Sequence, residues 1–222
     1  MMQVRLAPLA LAVFVYVLVV ALPAADAQTL AAAKTSDALP PELNAAIATN
    51  FGLGGITVKS GDVQLDLWWV KAIALAKPPE AAPAWGDVGD GTLVGAIRVS
   101  APWSDIRGYV VRPGVYTLRY ARQPANGDHL GVSPNREFLL MSPAAVDTTP
   151  DPVGYKGAVD LSKQTVRRAH PSALSLDPPA ATAAPLSPVK TDLDLEGVVF
   201  SVPTSAGPSS TFGLILRGVI QN

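Results

Sequence analysis

No cysteine occurs in the 222-residue chain, which removes disulfides, thiolate metal ligands and cysteine nucleophiles from consideration. Charge is scarce as well: Asp, Glu, Lys and Arg make up 16% of the residues, and 17 cations nearly balance 18 acids. The resulting formal charge of −1 provides no net basic field for a phosphate backbone, so nucleic acid is not an expected partner. Histidine is limited to His129 and His170, and the HExxH spacing of a zinc protease is missing. So is the GxSxG elbow of a serine hydrolase. The glycines of Gly52-Leu53-Gly54-Gly55 precede a strand pattern and no helix, so they do not form a dinucleotide fingerprint. Nothing in these motifs calls for a cofactor.

What is present begins with an export signature. Residues 1–27 combine a cation at Arg5, an apolar run from Leu6 to Leu22, the helix breaker Pro23 and the small-residue site Ala25-Asp26-Ala27. Cleavage after Ala27 is expected, giving a mature chain that starts at Gln28 in the periplasm or outside the cell. The membrane would be a partner only through this segment, were it left uncleaved. A mature chain without disulfides must be held by packing alone, and its 49% hydrophobic content is suited to that.

Residues 28–50 read as a tether followed by a short helix, because Pro40-Pro41 precede Leu43, Ala46 and Ile47 at helical spacing. From residue 51 to 222 the period changes to two. Runs at Ile56 to Lys59, Val63 to Leu75, Thr92 to Ser100, Gly114 to Arg122, Glu137 to Ser142, Gly197 to Val202 and Phe212 to Ile220 are separated by turn residues. Val153 to Ala169 interrupts the series with helix-compatible spacing, and Asp177 to Lys190 reads as a proline-rich surface loop. The expected fold is all-β: a two-layer antiparallel β-sandwich with one short N-terminal helix and one crossing helix.

Alternation assigns each strand an apolar face and a mixed face. The mixed faces carry Asp66 and Trp68, Arg98, Arg119 and Arg217. Were these strands neighbours, Trp68, Asp66, Arg98 and Arg119, with Trp103 nearby, could form a platform that stacks a sugar and pairs a carboxylate. The plainer alternative is a solvated outer face with one charge per strand. Exposure of Trp68 separates the two.

For metal chemistry, Asp128 and His129 sit in the turn-rich Asn126-Gly127-Asp128-His129, and with Asp105 they define an alternative reading as a metal-assisted hydrolase. Asp192-Leu193-Asp194-Leu195-Glu196 and Asp87-Val88-Gly89-Asp90-Gly91 offer calcium-type oxygens but match no EF-hand loop. A further alternative is a structural subunit that associates through an exposed strand at Phe212 to Ile220.

The stretch Arg112-Pro113-Gly114-Val115-Tyr116-Thr117-Leu118, in which a Pro-Gly turn launches an alternating strand, resembles secreted bacterial β-sandwich proteins of uncharacterised families. It is also similar to carboxypeptidase-regulatory-like modules. The resemblance implies the sandwich fold and carries no catalytic residue. The functional expectation is an exported, noncatalytic module, binding a glycan or an envelope protein.

Overall fold

The computed structural model describes residues 30–77, 85–125, 133–178 and 182–220. In chain order these form β1 (Ala31–Thr35), α1 (Ala45–Ala48), β2 (Gly55–Ser60), β3 (Val63–Trp69), a single 3-10 turn (Trp85–Asp87), β4 (Leu93–Val99), β5 (Trp103–Ser104), β6 (Val110–Val111) and β7 (Gly114–Arg122). Then follow β8 (Glu137–Pro143), α2 (Gly154–Val166), β9 (Ala173–Asp177), β10 (Pro188–Lys190), β11 (Glu196–Val202) and β12 (Ser210–Arg217). The all-β class, the antiparallel pairing and the two helices agree with the sequence reading. Residues 1–27, read as an export signal, and Asp128 and His129 lie outside the described residues.

Among the described residues, ten strands make one sheet in the order β1-β2-β3-β4-β7-β8-β9-β12-β11-β10, and β5 pairs with β6 as a separate ribbon. The two layers are the two halves of this one coiled sheet. Trp69 on β3 meets Phe200 on β11 at 5.0 Å and Phe212 on β12 at 5.4 Å, although those strands stand far apart in the order. Beyond the strand ends the backbone continues the approach: the Ile73 N–H donates to the Pro203 carbonyl at 2.8 Å, and the Ser205 N–H donates to the Ile73 carbonyl at 2.9 Å. The sheet is therefore almost a barrel.

Alternation explains the interior. Leu65 and Leu67, Ile97 and Val99, Tyr116, Leu118 and Tyr120, Leu139 and Met141, and Phe212, Leu214 and Leu216 all join one buried core. Their cross-strand partners follow register, for example Leu118 with Met141 and Tyr120 with Leu139. The opposite face is also covered. Ala158 and Val159 of α2 pack with Ala121, Phe138, Leu140 and Ala173 to make a second apolar layer. Ser162 Oγ donates to the Ser172 carbonyl at 2.9 Å and accepts from the Ser172 N–H at 3.0 Å, while Thr165 Oγ1 donates to the Met141 carbonyl at 2.7 Å. Burying both faces of the central strands makes the mixed face an interior surface, not a wetted one.

Three local differences from the sequence reading have physical causes. Residues 31–35, expected as a tether, form β1 because β2 offers a free ladder edge to Ala31 through Thr35. The N-terminal helix is a single turn, capped by the Asn44 side chain accepting from the Ala46 N–H at 2.9 Å and ended where Asn50 donates to the Ala46 carbonyl at 2.9 Å. The proline-rich span contains β10, which pairs with β11 from Pro188 to Lys190 as the outermost strand.

Candidate functional site

The residues singled out from the sequence are placed first. Register sets Asp66 beside Arg98 and Trp68 beside Ala96, so the mixed faces of β3 and β4 are neighbours. The surface they form is closed, however. Trp68 is 0% exposed, and its indole nitrogen donates to the Asp37 carbonyl at 3.3 Å. A Cβ on Gly55 would lie 2.8 Å from that nitrogen, so only glycine permits the indole to lie this close to β2. Arg98 covers the Trp68 ring at 5.3 Å, and Asp66 is occupied by Thr57 Oγ1 at 2.7 Å and Gln64 Nε2 at 2.9 Å.

Arg119 is fully buried as well. Its Nε and Nη2 donate to the two oxygens of Asp147, each at 2.7 Å. Its Nη1 donates to the carbonyls of Gly91 at 2.7 Å and Asp151 at 3.0 Å, and Nη2 also reaches the Thr149 carbonyl. All five guanidinium protons are thereby satisfied. Trp103 is buried too, with its indole nitrogen donating to the Leu216 carbonyl at 3.0 Å. Trp68, Arg119 and Trp103 thus serve as internal fasteners and present no open platform.

Asp105, Asp87, Asp90 and Asp194, considered for metal chemistry, are engaged locally. Asp105 is buried and accepts from the N–H groups of Arg107 and Tyr109 at 3.0 and 2.9 Å, and burial raises its carboxyl above the ordinary value. Asp87 pairs with Lys77 at 3.4 Å, Asp90 accepts from the Arg122 N–H at 2.9 Å, and Asp194 pairs with Lys190 at 3.0 Å. Among the described residues, no three His, Asp or Glu side chains gather to hold a metal ion. In the run from Phe212 onward, β12 is paired along its length by β11 on one side and at Gly213 and Leu214 by β9 on the other.

A cleft of about 390 Å³ opens at one end of the coiled sheet, where β8 and β9 meet β12. Its wall is Trp85, supplied by the 3-10 turn. The turn is tied down at its base by the Ala76 N–H donating to the Asp87 carbonyl at 2.7 Å and by the Val88 N–H donating to the Trp85 carbonyl at 3.0 Å. The Trp85 ring stacks on Tyr120 at 5.4 Å with 8° between planes, and meets Phe212 edge-on at 4.7 Å. Two aromatic neighbours in orthogonal directions leave the indole little freedom to rotate.

Polar groups converge on the same cleft. Asn135 Nδ2 donates to Asp177 Oδ1 at 2.8 Å, which orients the amide and carboxylate together. Ser133 Oγ donates to Ser175 Oγ at 2.8 Å beneath them. Glu137, Ser210 and Thr211 complete the rim, and the Glu137 carboxylate makes no hydrogen bond or ion pair among the described residues. Behind the wall, Trp85 Nε1, Tyr120 Oη and Gln123 Nε2 are buried without hydrogen-bond partners. Desolvation, with the nearby Glu137 charge as a smaller cause, pushes the Tyr120 phenol above its ordinary value and keeps it a neutral donor.

Sequence reasoning passed over this constellation. Its one visible signal is Trp85 within Ala81-Ala82-Pro83-Ala84-Trp85-Gly86, a tryptophan in a loop where no strand alternation requires it as core. Comparison with family models, with curated proteins and with solved structures returned no match.

Proposed function

We propose that the chain is an exported, noncatalytic module that binds a carbohydrate in the Trp85 cleft. The observation that carries this reading is the fixed indole standing beside Asn135, Glu137 and Asp177. A sugar has an apolar C–H face and a ring of hydroxyl donors. The indole suits the first, and the carboxylates and amide oxygen accept from the second. A volume of about 390 Å³ lies toward the lower end of the range for small-ligand pockets, about 300 to 1,000 Å³. Hydrogen bonds to charged acceptors contribute about 1.5–3 kcal/mol each, enough for selectivity among hydroxyl configurations. Export rests on the leader at residues 1–27, with its site at Ala25-Asp26-Ala27. No helix among the described residues is long and apolar enough to cross a membrane.

The test is an oligosaccharide panel read by tryptophan fluorescence on the secreted chain, whose N-terminus mass spectrometry should place at Gln28. Trp85→Ala should abolish the response. Glu137→Gln, which removes charge from a half-exposed rim position, should weaken it about tenfold, the equivalent of one 1.4 kcal/mol step, while leaving the melting temperature unchanged. A panel without binders, or binding indifferent to both substitutions, would refute the reading.

A further inference from the structure

A second hollow, independent of the cleft, lies where the C-terminal end of α2 approaches the turn that opens β7. It encloses about 700 Å³ and is lined by Arg112, Tyr116, Gln164, Arg167 and Arg168, with Glu42 as its single acid. An adjoining hollow of about 510 Å³ shares Arg167 and Arg168 and adds Lys163. Some cations of the chain are matched, as in Arg119 with Asp147, Arg217 with Glu196 and Lys77 with Asp87, while others are not. Arg112, Arg167 and Arg168 make no ion pair among the described residues. Three such guanidinium groups around one hollow, against a single acid, make it locally basic in a chain of net charge −1.

Two features set the backbone at Arg112 and Arg167. Tyr116 Oη donates to the Arg112 carbonyl at 2.8 Å and so fixes the backbone of the turn that carries Arg112. Arg167 closes α2 in the left-handed conformation, with φ of 52°, at the position where helices ordinarily place glycine. An L-residue held there is strained, and the surrounding structure must over-determine the conformation for it to persist.

Most of the remaining lining is apolar, including Val110, Pro113, Val115, Ala144, Ala145 and Val166. Val110 is 61% exposed, and Val146, at the adjoining hollow, is 39% exposed. A phosphate polymer has nothing to place against such groups. A peptide that mixes carboxylates with aliphatic side chains has both halves of the required chemistry, because planar guanidinium forks take carboxylates in pairs and the valines take the aliphatic groups. We propose that this hollow receives an acidic, leucine-type peptide segment of a partner protein.

The experiment is fluorescence anisotropy of a short labelled peptide of Glu-Glu-Leu repeats with the full chain, competed with inorganic polyphosphate and with a uronic-acid oligosaccharide. The peptide should bind, should weaken steeply with added salt, and should be displaced poorly by either competitor. Arg168→Glu should weaken it at least about tenfold, as expected for reversing a charge that faces its partner, whereas Lys59→Glu, at an exposed position of β2, should leave it unchanged. Arg167→Gly provides a reading that does not depend on folding: relief of the left-handed strain should raise the melting temperature while peptide affinity falls. Equal or tighter binding of polyphosphate or the uronate, no peptide binding, or affinity unmoved by Arg168→Glu and Arg167→Gly would overturn the assignment.

Discussion

Arg119 is the residue on which the covered face of the sheet depends. It binds Asp147 with two hydrogen bonds and fastens Gly91, Thr149 and Asp151 to β7 through their carbonyls. Substituting Arg119→Leu leaves the Asp147 carboxylate buried with Thr117 as its remaining donor. Such broken pairs cost about 3–5 kcal/mol, which urea unfolding will register, and Arg119→Leu combined with Asp147→Leu should recover part of that loss. A single-variant loss below about 1 kcal/mol would show that the loop is held by other contacts. Asp105 makes a smaller, pH-dependent contribution. Burial raises its folded-state carboxyl, so the folded chain takes up the proton before the unfolded chain does as pH falls. Its contribution to stability is therefore complete below the ordinary carboxylate value and is lost as pH rises through the raised one. Asp105→Asn keeps an oxygen for the Arg107 and Tyr109 N–H groups. It should raise the unfolding midpoint at neutral pH relative to wild type and flatten its change between neutral and acidic buffer.

Helix α2 acts as the lid of the outer face, and its attachment is polar as much as apolar. Ser162→Ala leaves the Ser172 N–H without its partner and should cost about 1–3 kcal/mol, seen as a lower thermal midpoint. At the other end of the helix, Gly91 adopts φ of +80°, and a Cβ there would lie 2.4 Å from the Gly154 nitrogen. Gly91→Ala should therefore push the helix start off the sheet and expose Ala158 and Val159 to an apolar dye. The element itself was legible in the sequence, because Val159, Ser162, Lys163 and Val166 repeat at helical spacing and the structure places α2 at Gly154–Val166. What it covers was not legible. Alternation in β7 separates Thr117, Arg119 and Ala121 from Tyr116, Leu118 and Tyr120, but says nothing about whether water or a helix meets the first set. β1 was hidden for a different reason: Ala31-Ala32-Ala33-Lys34-Thr35 has little strand preference of its own and becomes a strand through the partner β2 supplies. The Trp85 cleft was hidden because its residues come from the 3-10 turn, β8, β9 and β12, which only the coiled sheet brings together.

Across the whole molecule the ladders are unequal. β11 and β12 pair along seven positions, and β7 and β8 along another seven, but β9 and β12 meet through only Gly213 with Asp177 and Leu214 with Leu176. That short seam joins the sequence-early half of the sheet to the C-terminal hairpin, and the Trp85 cleft straddles it through Leu176, Asp177 and Phe212. A guest seated there would touch both halves at once and act as a clasp. The seam's amide protons should trade with deuterium sooner than those of β7 in the empty protein, and should slow the most once the guest is in place.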